Sequence, residues 1–277
     1  MVLSQSQIDE FHLRGFVKGP KVVDDATVEH LRDELQAVME SRAKNQPVAI
    51  NGMQDSKQAT EYGQNSDPKK VVVQIVNIWE ASDAFLAHAR NPLITEAVSR
   101  LCNNTPLLRI WHDQIQYKPS RVGGSTCWHQ DFPGWPILQP ADLISAWVAL
   151  DDAELDNGAM WMVPGSHRWG KIQTWSGENF VDPKCEPALL PEGVEVKAEP
   201  VLVKKGEVAF HHCMTWHCSP ENKSDRPRRA IAVHYMPGYT IYVQGKHVVA
   251  KHVTVKPGEI LAGEKFPVVY ERVLQTA

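Results

Sequence analysis

Two rhythms divide this chain. Apolar residues recur at helical spacing through roughly the first third and at strand-like alternation afterwards. Residues 4–14 put Ile8 and Phe11 on one face, with Ser4 or Ser6 to cap and Gly15 to stop, which predicts a short helix. A second helix is predicted from Asp24 or Asp25 to about residue 42, on Val28, Leu31, Leu35, Val38 and Met39. Residues 44–69 are polar and rich in turn formers, including Pro47, Gly52, Gly63 and Pro68. They read as a long loop, of a kind that serves as a lid or binding loop or is a plain surface insertion. Residues 71–76 are dense in β-branched side chains and predict a strand. Residues 82–89 and 92–101 predict two short helices, capped by Ser82 and Asn91.

Strands take over from residue 107. Residues 107–117 alternate, and a loop carrying Gly123 and Gly124 leads into an extended segment around His129. Residues 144–150, 159–163, 201–203, 208–210 and 230–235 follow as short strands, with turns at Asp156-Asn157-Gly158 and Pro164-Gly165-Ser166-His167. Residues 165–198 form a second polar connection. Short strands separated by Gly, Pro and Asn turns predict a barrel or jelly roll. Because the helices come first, they should pack on the outside of one sheet. The expected organisation is one domain over 1–277, helical to about residue 105 and β-rich over about 106–240.

Composition narrows the class. A chain of 277 residues can bury a core without disulfides. Lys and Arg number 29 against 33 Asp and Glu, a net charge of -4, which runs against a nucleic-acid binder. No apolar run reaches membrane-spanning length, and the first residues lack a basic start followed by an apolar signal segment. The five cysteines are scattered without a CxxC pair, as in a reduced, cytoplasmic protein. The expectation is a cytoplasmic enzyme with no nucleic-acid or membrane partner; its oligomeric state is not legible.

The chemistry gathers at Trp128-His129-Gln130-Asp131. Residues two apart on an extended segment project to one face, so His129 and Asp131 can bind one metal ion together. A third ligand must come from elsewhere, and the segment from Phe210 to Ser219 offers His217, with His211 as the second choice. His217 is preferred because Ser219, Asn222 and Arg228 follow it as a polar cluster. Two imidazoles and a carboxylate on one face of a metal are the ligand set of non-haem Fe(II) oxygenases. Arg228 adds a cation that does not titrate, suited to a carboxylate. His112 and His167 read as structural. His234, inside an apolar strand, reads as a core histidine or one that supports a ligand.

The ordered set of Trp128-His129-Gln130-Asp131, Asp156-Asn157-Gly158-Ala159, Pro164-Gly165-Ser166-His167, and His217-Cys218-Ser219-Pro220-Glu221-Asn222 through Arg228-Arg229-Ala230 resembles the phytanoyl-CoA dioxygenase family. The resemblance runs from about residue 5 to about residue 237. It implies a mainly β fold with flanking helices around a double-stranded β-helix, the cupin-like form of the jelly roll. It also implies Fe(II), with 2-oxoglutarate and O2 as cosubstrates and succinate and CO2 as products. On this chain it makes His129, Asp131 and His217 the iron ligands. Arg228, assisted by Ser219, would bind the far carboxylate of 2-oxoglutarate, and Gln114 and Trp147 would line its pocket. Lys118-Pro119 resembles the family's Lys-Pro stretch before the metal motif. Asp131, where a halogenase would have a small residue, implies hydroxylation.

The substrate is a small molecule on this reading. Phe132-Pro133-Gly134-Trp135-Pro136, Met160 and Trp161 suggest an apolar or ring-containing one, and nothing resembles a site for the phosphates of coenzyme A. Two other classes share the pattern: a cupin-like hydrolase or isomerase using Zn or Mn, and a non-catalytic 2-oxoglutarate-binding protein.

Overall fold

Side-chain alternation on the long strands decides this architecture, because each keeps one face for the helices and turns the other toward a second sheet. The computed structural model describes residues 2–40, 42, 49–51, 70–171 and 197–272. In chain order its elements are α1 (Gln5–Arg14), β1 (Phe16–Lys21), α2 (Asp25–Met39), β2 (Ala49–Asn51), β3 (Val73–Val76), α3 (Asp83–Ala89), α4 (Pro92–Leu101) and β4 (Leu107–Lys118). Then come β5 (Thr126–His129), β6 (Leu138–Gln139), β7 (Ile144–Ala149), β8 (Met160–Met162), β9 (Glu199–Val201), β10 (Glu207–His212), β11 (His217–Ser219), β12 (Arg228–Pro237), β13 (Ile241–Tyr242) and β14 (Val268–Glu271).

Seven strands run β1-β10-β7-β12-β4-β3-β2, and β14 pairs with β4 to complete an eight-stranded sheet. A four-stranded sheet, β5-β11-β8-β9, lies across it. The strand pairing is antiparallel throughout both sheets. On β12, Ile231, Val233 and Tyr235 face outward into one apolar cluster with Phe85, Ile94, Val98, Leu31 and Leu35 of the helices. Ala230 and Ala232 face the other way, into a cluster with Trp147, Ala209, Met160, Met162 and Val201 between the sheets. The helices therefore lie against one sheet face, as the order of elements led us to expect.

The helices form where caps and apolar spacing agree. Ser4 and Gln7 make a reciprocal capping box on α1, and Gly15 ends it at φ 83°. Asp24 caps α2, whose buried residues Val28, Leu31, Leu35 and Val38 each contribute roughly 1.5–3 kcal/mol of burial. Ser82 and Asn91 cap α3 and α4.

The differences from expectation have local causes. Within the stretch read as a loop over 44–69, Ala49–Asn51 pairs with β3 as a strand; residues 44–48 and 52–69 lie outside the described residues. So does most of the second polar connection, from 172 to 196. β1 was not anticipated: the stretch between the first two predicted helices was assigned no element. It is an edge strand, where a missing N–H is tolerated. β11 has three residues, too few for a periodic signal. The strand read at 201–203 lies at Glu199–Val201, with Val203 bridging to Ala153. Among the described residues no helix is long and apolar enough to cross a membrane.

Candidate functional site

β5 and β11 are neighbours in the smaller sheet, and their pairing sets His129 directly opposite His217. Their ring centroids are 4.1 Å apart. Asp131 reaches them by a different route from the one its spacing suggested. The strand ends at His129, and Asp131 has helical backbone (φ -69°, ψ -45°) at the start of the single turn 132–134. The chain's bend, rather than strand alternation, brings Asp131 beside His129. Gln130, between them, is buried and donates to the carbonyls of Met214 and Gly170, at 2.8 and 2.9 Å, which pins the bend.

Asp131 Oδ1 stands 3.5 Å from His129 Nε2 and 3.7 Å from His217 Nε2. Ligand atoms of these three residues all lie within 4.8 Å of one another, the one such group among the described residues. Each histidine Nδ1 is 2.8 Å from a backbone carbonyl, that of Cys127 for His129 and that of Thr215 for His217. A ring that donates from Nδ1 keeps its proton there and presents the Nε2 lone pair. Burial would raise the Asp131 carboxyl, but the imidazoles of His217, His129 and His211 hold it well below the usual range. Burial and the neighbouring His129 keep His217 well below its ordinary value. Against the pull of its burial, the Asp131 carboxylate raises His129, so a divalent metal binding there would displace a proton from that ring.

His211, the second choice for the distal ligand, is not in this group. Its Nε2 lies 3.0 Å from Asp131 Oδ2, the other oxygen. It stands on β10 in the larger sheet, whereas His217 comes from the smaller one.

Arg228 opens β12 on the face between the sheets and is 1% exposed. Its partners are weak: Ser219 Oγ at 3.4 Å and the Gln116 carbonyl at 3.4 Å, while Nε is buried with no partner. The guanidinium lies 5.5 Å over the Trp147 ring. Burial lowers its pKa to about 10, so it stays cationic at neutral pH. No carboxylate within ion-pair distance offsets this charge among the described residues; Asp151, the nearest acidic influence on it, is engaged by Arg229 and Arg32. A buried cation costs several kcal/mol when unpaired, which makes this a cradle for an anion. Lys118, fully buried, donates to the carbonyls of Ser219 (2.9 Å) and Pro220 (2.6 Å) and so ties down the segment that carries Ser219. Gly158 fits beneath that segment: a Cβ there would stand 2.7 Å from the Pro220 carbonyl.

One open cavity joins the three ligand residues to Ser219, the hydroxyl partner of Arg228. Ser219, Trp147, His129, Asp131 and His217 line it, together with Gln116, Met160 and His234. Gln116, beside the expected Gln114, is the glutamine among the lining residues. It accepts from Trp147 Nε1 at 2.9 Å, whereas Gln114 turns to His234 at 3.3 Å. The two glutamines are two apart on one face of β4, so alternation could have named either. Met160 lines the cavity, while Trp161 points to the opposite face of its sheet, toward Trp128 and Trp216. Phe132 and Trp135 pack in a cluster at one end, with the Trp135 ring 4.8 Å from His234. Cys102 and Cys213 are buried free thiols, and Cys185 lies outside the described residues.

Comparison with known proteins points the same way. The human peroxisomal phytanoyl-CoA dioxygenase is 26% identical over 257 residues, covering 88% of this chain and 72% of that protein. Among solved structures, the non-heme alpha ketoglutarate dependent carbocyclase SnoK from nogalamycin biosynthesis superposes with a TM-score of 0.77 at 25% identity, over 96% of each chain. The epimerase SnoN, solved in complex with Fe3+, alpha ketoglutarate and nogalamycin RO, shares the fold with a TM-score of 0.72 at 20% identity, over 96% of this chain and 98% of that one. Since the family model for phytanoyl-CoA dioxygenase matches residues 11–230, which is well over half the sequence, this chain belongs to the phytanoyl-CoA dioxygenase (PhyH) family.

Proposed function

We propose that this protein is an Fe(II)- and 2-oxoglutarate-dependent dioxygenase that oxidises a small molecule, most simply by hydroxylation. The observation that carries this reading is Arg228: a buried cation without a carboxylate partner among the described residues, held against Ser219 and Trp147, which line the cavity of the His129, Asp131 and His217 ligand atoms. A metal alone does not call for it. A dicarboxylate bound beside the metal does, because its far end needs a fixed, planar, non-titrating partner. This counts against a hydrolase or isomerase built on the same ligands.

The residues present fit the group. His129, Asp131 and His217 would hold iron from one side and leave the opposite side open. The chemistry the bound iron and 2-oxoglutarate supply is decarboxylation to succinate and CO2 coupled to oxidation of a substrate C–H by O2. The chain's own part is placement. The Cys127 and Thr215 carbonyls fix the two rings. Arg228, with the Ser219 hydroxyl, would take the far carboxylate, and Trp147 and Gln116 would wall that end. Met160 and the imidazole of His234 would border the space left for substrate.

The substrate is the less constrained part. Carbocyclase and epimerase activities are stated for the two solved relatives, so this fold carries outcomes other than hydroxylation. Met160 in the lining, with Phe132 and Trp135 packed at one end, supports an apolar or ring-containing molecule, and the lack of a recognisable site for coenzyme A phosphates in the sequence counts against phytanoyl-CoA. We take residues 1–277 as one catalytic unit. The slight acidic balance supports a protein that works without nucleic acid, and the scattered cysteines support a reducing, cytoplasmic setting.

The test is succinate formation. Protein loaded anaerobically with Fe(II) is given 2-oxoglutarate, ascorbate and O2, with and without candidate metabolites. Succinate above a metal-free control is expected, and more with the true substrate. No succinate under any condition, with iron bound, would leave a non-catalytic binder.

A further inference from the structure

Asp131 divides its two oxygens between two sets of partners. Oδ1 faces the ligand nitrogens of His129 and His217. Oδ2 is taken by His211 Nε2 at 3.0 Å and by the Ser145 hydroxyl at 3.2 Å. Both of these come from the larger sheet, where Ser145 on β7 and His211 on β10 are direct cross-strand partners. They are 0% and 2% exposed, so water does not compete for the contact.

The direction of the hydrogen bonds follows from counting protons. Ser145 has one hydroxyl proton, and Asp131 can only accept. Ser145 Oγ also lies 2.6 Å from His234 Nδ1, so that nitrogen must donate to it. His234 then presents a bare Nε2, and the amide nitrogen of Gln114, 3.3 Å away, fills it. For His211, a proton on Nδ1 would be a buried donor with no acceptor, so the proton sits on Nε2 and points at Asp131. One neutral chain, Gln114 to His234 to Ser145, thus ends on the oxygen that the triad leaves over.

We infer that Ser145 and His211 are positioning residues that restrict Asp131 to ligation through one oxygen, and that Gln114 and His234 aim the Ser145 hydroxyl. The inference rests on the functional reading above and deepens it. A carboxylate with a free second oxygen can bind a metal through both. It would then occupy part of the open side that 2-oxoglutarate and O2 must share. Held as it is, Asp131 gives the metal one atom and keeps that side clear. Partners of this kind typically change metal affinity or activity by about 10–100-fold when removed.

The test uses the full chain stripped of metal, with Co(II) as the probe because its visible absorption reports ligand number and geometry. The variants are Ser145→Ala, His211→Phe, the double variant, and His211→Gln, whose side-chain amide can donate to the same oxygen. Co(II) affinity and spectrum are measured first, then 2-oxoglutarate affinity of the Co(II) form. We expect about tenfold or greater loss of Co(II) affinity in Ser145→Ala and His211→Phe, with altered spectra. The double variant should lose 2-oxoglutarate affinity as well, and His211→Gln should recover most of it. A role in packing alone would lower the melting temperature and leave the spectrum of the folded protein unchanged. Ser145→Ala removes a single oxygen and keeps the question answerable if the ring variants fail to fold. Wild-type affinity and spectra in Ser145→Ala and the double variant would overturn the inference alone. Failure of the wild type to bind Co(II) would overturn the metal reading with it.

Discussion

His129 and His217 are mirror neighbours: each closes the same contact, from its own Nδ1 to the carbonyl two residues earlier, on facing strands. Neither ring depends on a remote side chain for its orientation. The pair is therefore set by backbone geometry, and Asp131 is the ligand that needs outside support.

That difference gives the first prediction. His129→Ala and Asp131→Ala should each abolish succinate formation and weaken Co(II) binding beyond detection at micromolar metal, with the fold retained. Far-ultraviolet circular dichroism and a metal titration check both halves. Binding at wild-type strength in either variant would remove that residue from the ligand set.

Arg228→Ala should raise the concentration of 2-oxoglutarate needed for half-maximal rate by about 10–100-fold, the range for a lost charge-assisted contact. Metal affinity should stay within about threefold. Arg228→Lys should fall between, since an ammonium lacks the planar fork that meets two carboxylate oxygens. Steady-state kinetics against 2-oxoglutarate decides it; an unchanged half-saturation point would show the assignment to be mistaken.

Gly15 links the amino-terminal helix to His217, the proposed distal ligand. Its carbonyl accepts from Thr215 Oγ1 at 2.7 Å and from the His212 amide at 2.8 Å, and the Thr215 carbonyl in turn orients His217. Its φ of 83° and the space around it both exclude a side chain, because a Cβ would stand 2.7 Å from Thr215 Oγ1. Gly15→Ala should cost about 2 kcal/mol or more of stability. It should also weaken Co(II) binding well below its melting temperature. Urea denaturation and metal titration measure the two effects separately.

His88 offers a pH-dependent stability. Burial with no partner on either ring nitrogen brings it to about 4 from an ordinary 6.5. Between those values the unfolded chain is protonated and the native one is not, so stability must fall as pH falls through that window. Between pH 7 and pH 5 wild type should lose about 2 kcal/mol more than His88→Phe, which has nothing to protonate. Equal losses in urea melts at the two pH values would count against a neutral, unpartnered His88.

The fold was legible wherever local and long-range demands agreed. Ser4, Asp24, Ser82 and Asn91 cap helices in the structure as their positions suggested. β1 was hidden because Pro20 is tolerated in a strand chiefly at a sheet edge, and edge position is a tertiary fact. The spacing of His129 and Asp131 correctly paired them, yet for a reason the structure replaces, since a bend and not a strand joins them. Gln116 could not be separated from Gln114 by alternation, because both face inward. Ser145 gave no signal, and His211 stood out only as a second choice of ligand: the contact both make with Asp131 depends on a cross-strand register that no spacing encodes.

On β12 the same period that turns Ile231, Val233 and Tyr235 outward turns His234 to the cavity and Arg228 to Ser219 and Trp147 on its wall. A slip of one position would push a guanidinium into the helix layer and isoleucine and valine into the cavity. Folding errors in this strand are thus self-reporting. A molecule that has misplaced its anion cradle this way has also forfeited its hydrophobic interior, so such errors should surface as insoluble or degraded protein and not as a stable but idle population.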